Sequence, residues 1–255
     1  MDGTWSRRGL FVIGGRVIAG ATLGQALERL ALAQPQDAVD WKRLFAKKPE
    51  GGTGRVKQVT GLAFAYQRPL LLGATVRSGE QLRVAKASSL VVSIHDGTLL
   101  QIRAGTVLDF MPGTDNSGIL GLIAGSFLAV VPIMHRFLIH GPEAVIGIKG
   151  TVFYRQVFTE DETSALAMEN ERVKVPGKGI KDYFCTCNGS VDYLRVSDLS
   201  LVASDTAQYH NAFILNPKNP KLLEKFPMVN HFDQDIRAAI DLQDGPKHDS
   251  SFLKL

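Results

Sequence analysis

From Gly51 to Phe158 the sequence keeps one local grammar: apolar stretches of strand length, many of them alternating, separated by Gly, Asp-Gly, Ser-Gly or Pro. The stretches are Val56 to Ala65, Leu70 to Val76, Gln81 to Ala85, Leu90 to Ile94 and Thr98 to Arg103. Alternation with period two buries one face of a strand, and Gly supplies the positive φ that tight turns need. Asp96-Gly97, set between Leu90–Ile94 and Thr98–Ile102, predicts a two-residue hairpin turn. Short strands at this spacing imply a mainly β fold of stacked strands, either a β-sandwich or a solenoid-like arrangement. The absence of a strict sequence period counts against a regular repeat protein.

The apolar run Gly118 to Met134 carries no charge, but at 17 residues, broken by three glycines and a proline, it falls short of the roughly 20 residues a spanning helix needs. It reads as adjacent buried strands, so no stable membrane span is expected beyond the N-terminus. Residues 159–180 read as a polar linker with a weak strand over Leu166 to Val173. Strand-like alternation resumes over Asp182 to Ser204. Asn216-Pro217-Lys218-Asn219-Pro220 acts as a breaker, a helix is predicted over Asp233 to Leu242, and the tail from Gln243 onward is expected to fray.

At the N-terminus, Arg7-Arg8 precedes a Gly/Ala-rich, weakly apolar stretch from Val12 to Leu23, and Ala31-Leu32-Ala33 offers a small-x-small cleavage site. That order reads as a twin-arginine export signal over residues 1–33 and places the mature chain in the periplasm. Residues 34–50 are expected to form a linker or short helix. The formal charge is +4; Arg7, Arg8, Arg16 and Arg29 against Asp2 and Glu28 put +2 of it in residues 1–33. The remaining basic residues are scattered among acids, without the clustered Lys/Arg and aromatics of a nucleic-acid surface.

Four segments carry a resemblance: Gly73 to Glu80, Ala87 to Val92, Asp96 to Ile102, and Ile148-Lys149-Gly150-Thr151-Val152-Phe153. In this order they resemble a FecR-type domain, the periplasmic module of proteins that transmit iron and other extracytoplasmic signals. The likeness covers about residues 68–158 within a β domain of residues 51–158. It implies a non-enzymatic binding or sensory protein whose partner is another envelope protein. The family often sets this domain after a cytoplasmic anti-sigma segment and a membrane helix, which are not expected here. Residues 181–255, expected to form a small α+β extension, resemble a subset of FecR-domain proteins through Tyr183 to Gly189, Tyr209-His210-Asn211-Ala212 and Asn230-His231-Phe232-Asp233. Tyr209 departs from the paired histidines of that pattern.

The chain has two cysteines, Cys185 and Cys187. On a strand, positions i and i+2 share a face, so both sulfurs can meet one ion. Two thiolates and two imidazoles suit tetrahedral Zn²⁺ or Cu(I). Cys185, Cys187, His210 and His231 are therefore the candidate ligands, with Asp233 behind His231 as the orienting acceptor. The alternatives are a strained, easily reduced Cys-x-Cys disulfide in a periplasmic thiol–disulfide redox protein, and two small buried residues with satisfied histidines. His95, His135, His140 and His248 are read as surface, strand-polar-face or tail residues. No Gly-x-Ser-x-Gly, phosphate loop, His-Glu-x-x-His or dinucleotide fingerprint is present, and no catalytic residue is named.

Overall fold

The computed structural model describes residues 39–94, 97–158, 181–215, 223–244 and 247–253. Arg7, Arg8 and the expected export signal, the strand expected over Leu166 to Val173, His95 and the Asn216–Pro220 breaker lie outside the described residues. The chain divides into two compact units, residues 1–44 and 45–255. In the first, Trp41–Leu44 forms a single helical turn, α1, capped where the Asp40 carboxylate accepts the Arg43 N–H at 3.1 Å.

The second unit contains fifteen described strands in one continuous sheet. They are β1 (Thr53–Thr60), β2 (Ala63–Ala65), β3 (Arg68–Pro69), β4 (Thr75–Arg77), β5 (Glu80–Val84), β6 (Ser89–Ile94), β7 (Leu99–Ile102) and β8 (Val107–Pro112). Then follow β9 (Ser117–Val130), β10 (Arg136–His140), β11 (Val145–Phe158), β12 (Lys181–Leu194), β13 (Leu201–Ala207), β14 (Asn211–Leu215) and β15 (Leu223–Lys225), before helix α2 (Asp233–Leu242). The predicted β6–β7 hairpin forms, with Ser93 opposite Leu99 and Gly97 at φ +90°.

Three long strands fold the sheet over on itself. The first half of β9 pairs with β8 and β10, and its second half pairs with β7. β11 pairs with β10 early and with β9 late, while β12 pairs with β14 early and with β13 late. Each long strand has a glycine at positive φ near its middle: Gly125, Gly150 and Gly189. At each, the parity of the core-facing residues switches. On β9 it passes from Leu120 and Leu122 to Phe127 and Ala129; on β11 from Ile146 and Ile148 to Phe153 and Val157; on β12 from Phe184 to Val191 and Tyr193. A one-residue shift turns every later side chain to the other face. The result is a mainly β fold in which two layers of one bent sheet share an apolar core. The run over Gly118 to Met134 is one bent strand and a turn rather than two adjacent strands.

The requirement for glycine is strongest at Gly150 and Gly189. A Cβ at Gly150 would stand 2.2 Å from Ile133 Cα, and one at Gly189, with φ +108°, would stand 2.6 Å from the Gly150 carbonyl oxygen. Neither backbone contact has a flexible group that could yield.

The strands after residue 181 continue the sheet inside the unit of residues 45–255 and lead to the small C-terminal helix. The outer face of the layer formed by β6, β7 and the halves of β9, β11 and β12 is apolar, with Leu128, Val130, Val152, Tyr154 and Tyr183 buried there. Ile236, Ala239 and Ile240 of α2 pack on it. The helix occupies the predicted span. Its Asp235 carboxylate accepts the Phe232 N–H at 3.0 Å, and Asp233 and Asp235 complement the positive end of its dipole. The tail is anchored, contrary to expectation. Gln243 is buried and donates to the Gly97 carbonyl at 3.0 Å, Asp244 binds Lys57 at 2.7 Å, and Leu253 joins the apolar cluster.

Between the layers, Arg155 of β11 and Asp182 of β12 form a bidentate pair with both side chains 0% exposed. Their contacts measure 3.0 and 2.6 Å, and the guanidinium also donates to the Ile139 and Ala144 carbonyls.

Candidate metal centre

β12 reaches the helix-covered face through its odd-numbered residues before the Gly189 corner, so Tyr183, Cys185 and Cys187 all lie in the cluster beneath α2. A bulge between the Val152–Asn188 and Phe153–Thr186 pairs leaves Cys187 as the extra residue on its strand. Both sulfurs are buried free thiols. His210 ends the β13–β14 connection at φ +27°, with its N–H on the Cys187 carbonyl at 3.1 Å. His231 lies two residues before α2 and is fully buried.

One ligand atom from each of Cys185, Cys187, His210 and His231 lies within 4.8 Å of every other. Cys185 Sγ is 3.5 Å from His210 Nδ1, and Cys187 Sγ is 3.5 Å from His231 Nε2. A tetrahedral zinc with bonds of about 2.3 Å to sulfur and about 2.05 Å to nitrogen would hold sulfur and nitrogen about 3.6 Å apart and the two sulfurs about 3.8 Å apart. The two sulfur–nitrogen edges are thus already near coordination length, and no pair needs to close by more than about 1.5 Å.

The far side of each imidazole fixes its tautomer. His231 Nδ1 donates to the Val229 carbonyl at 2.8 Å, and His210 Nε2 donates to Asp233 Oδ1 at 2.9 Å. Each imidazole therefore keeps its other ring nitrogen for the sulfurs, the arrangement that metal-binding histidines use. The carboxylate expected behind His231 meets His210 instead. Asp233, the first residue of α2, accepts from the half-buried His210, and His231 donates to a backbone carbonyl. Tyr209 OH donates to the other Asp233 oxygen at 3.1 Å, which holds the carboxylate in place.

Sequence reasoning missed the support behind His231. Tyr154 of β11 stacks on it at 4.5 Å and 15°, and the Arg103 guanidinium lies 5.2 Å from the Tyr154 ring centroid. Arg103 also binds the Asn230 carbonyl and, at 2.9 Å, Asp235. The alternation of β11 placed Tyr154 on one face, but nothing in the sequence says which face meets His231.

The thiols are strongly unequal. Cys185 is brought down to about 4 by the hydrogen bond from Cys187, against the effect of burial, with His210 and His231 adding to the fall. Burial and the neighbouring Cys185 push Cys187 up. His210 is raised because its bonds to Cys185 and Asp233 outweigh the burial that opposes them. Cys185 is thus the more acidic thiol of a site whose donors are two sulfurs and two imidazole nitrogens.

The other described histidines lie elsewhere. His135 lies in the turn before β10, 3.5 Å from Thr98 Oγ1, rather than on a strand's polar face. His140 ends β10 half-buried, and His248 packs its ring edgewise on Phe252.

The family model described as FecR protein matches residues 80–174, beginning and ending later than the 68–158 expected from sequence. No curated protein matches the chain. Two crystal structures of a candidate anti-sigma factor from Parabacteroides distasonis ATCC 8503, at 1.65 and 2.50 Å resolution, are similar to it at 17% identity and a TM-score of 0.41. Each match covers 57% of this chain, which spans 59% of the length of that protein.

Proposed function

Starting from the FecR-type domain that this chain carries, we propose that the protein is a non-enzymatic regulatory component of signal transduction, exported to the periplasm, with one zinc or copper(I) ion held by Cys185, Cys187, His210 and His231. The observation that carries the metal reading is the convergence of the four ligand atoms within 4.8 Å, with both imidazoles already oriented from behind. Four protein ligands leave no open position for a substrate, which favours a structural ion over a catalytic one. The ion would tie strand β12 to the segment that leads into α2 and so fix the helical cover on the sheet. The regulatory partner is another envelope protein. The far edge of β13, which pairs with no strand among the described residues, is suited to strand addition.

Elemental analysis of protein exported in its native compartment and purified without chelator tests this reading. About one equivalent of zinc or copper, lost in Cys185→Ser and His231→Ala, supports it. A metal content unchanged by either substitution refutes it. Thiol–disulfide exchange is the second reading, favoured by adjacent free thiols and the acidic Cys185. Burial of both sulfurs counts against attack on a protein disulfide. A mixed disulfide trapped in one single-cysteine variant of metal-free protein would favour exchange.

A further inference from the structure

The β2–β3–β4 corner exposes large apolar side chains: Leu71 is 70% and Leu72 73% exposed, with Leu62 at 62% and Tyr66 at 59%. They form one patch by register. Leu70 N–H donates to the Ala63 carbonyl, and Phe64 pairs with Pro69. Residues 63 and 65 face the core, so Leu62 and Phe64 share the outer face, and the register continues to bring Leu71 opposite Leu62, with Tyr66 in the β2–β3 turn donating its OH to the Gly79 carbonyl. Leu72 occupies the corner of the Leu71–Ala74 turn, closed by the Ala74 N–H on the Leu71 carbonyl with Gly73 at φ +79°.

The charge of this segment is predominantly basic, with Asp109 of β8 held by Gln81 at 3.0 Å. Residues 62–86 carry Arg68, Arg77, Arg83 and Lys86 against the single acid Glu80, a net +3. Glu80 is itself engaged, accepting from Arg68 Nη2 at 2.9 Å and from the Arg77 N–H at 2.7 Å. Arg83 stands opposite Phe64 in the β2–β5 register, beside the apolar patch.

We propose that this corner docks on an anionic lipid surface, with Leu71 and Leu72 entering the acyl boundary and Arg77, Arg83 and Lys86 facing the headgroups. Two consecutive leucines on a turn tip, each mostly exposed, project outward and form no groove for a partner's side chain. A projecting apolar tip with a cationic collar fits an interface that is apolar inside and negatively charged outside. Such attachment needs both signals, because either alone binds membranes weakly.

The test is flotation of the full chain with phosphatidylglycerol-containing vesicles and with phosphatidylcholine vesicles. Binding is expected to favour the anionic vesicles. It should fall about tenfold or more in the Leu71→Ser, Leu72→Ser double variant and by a similar factor in Arg77→Glu, Lys86→Glu. About 0.5 M salt should weaken it further. Urea unfolding of both variants, expected unchanged because the substituted side chains are exposed, shows that the loss is one of contact. Equal binding to the neutral vesicles, or full binding by the leucine variant, overturns the proposal. So does a self-association of the parent chain that the leucine variant abolishes, since a second copy would then cover the patch.

Discussion

Replacing Asp182 with Asn removes one charge from the protein's core while keeping the shape of the side chain. Arg155 then retains its bonds to the Ile139 and Ala144 carbonyls but no anion, with its side chain 0% exposed. Breaking a buried pair from one side costs about 3–5 kcal/mol, because the remaining charge stays desolvated. Asparagine still offers an oxygen acceptor, which places the expected loss near the lower end, about 3 kcal/mol. With a urea slope of about 2–3 kcal/mol/M, the unfolding midpoint should fall by about 1–1.5 M with little change in slope. Adding Arg155→Met to Asp182→Leu removes both charges together, and this pair of changes should recover much of the loss, since an apolar pair of similar volume meets no desolvation penalty. Equilibrium urea unfolding followed by circular dichroism gives all three values. A midpoint shift below about 0.3 M for Asp182→Asn, equivalent to less than about 1 kcal/mol, would show that the carbonyls alone satisfy the guanidinium and would refute the argument.

Gly189→Ala should cost more than about 2 kcal/mol or prevent folding, because the new Cβ meets the Gly150 carbonyl and φ is +108°; Gly79→Ala, also at positive φ but in open space, should cost less in the same unfolding assay. Asp233→Asn is expected to weaken metal affinity about 10–100-fold by loosening His210, measured by competition with a chromophoric chelator, while His231→Ala should abolish stoichiometric binding. His140 is lowered by its burial and then by the nearby Arg155. On acidification the unfolded chain therefore takes this proton first. The contribution of neutral His140 to stability is present above about pH 6.5 and declines as pH falls from there toward its lower folded value. The urea midpoint of His140→Gln should depend less on pH than that of the parent between about pH 7 and 5; an identical dependence would remove His140 as a source.

Local chemistry was legible where a few neighbouring residues decide the outcome. Asp233 to Leu242 formed the helix its pattern predicted, the stretch from Leu90 to Ile102 formed its hairpin, and Cys185 and Cys187 shared a face because side chains alternate on a strand. The stretch from Val56 to Ala65 was divided by Gly61 at φ +71°, and Leu70 to Val76 yielded only the short β4 within a turn-rich connection. The tail misled because Gln243 and Leu253 look unremarkable in sequence, and their anchors, Gly97 and the apolar sheet face, lie far away along the chain.

By itself the sequence determined the alphabet of this protein: apolar strands of limited length, glycine at the places where the backbone must leave the L-residue conformations, and one set of soft and imidazole donors. Which halves of β9, β11 and β12 lie in which layer was decided only by the tertiary structure, because pairings between distant strands depend on a common core that no local window contains. The same holds for the site. Cys187 and His231 are 44 residues apart yet stand 3.5 Å from one another, and Asp233 turned to His210 rather than to its sequence neighbour. A helix N-terminus fixes where its first carboxylate points, and the packing of α2 on the sheet fixed which imidazole lay within its reach.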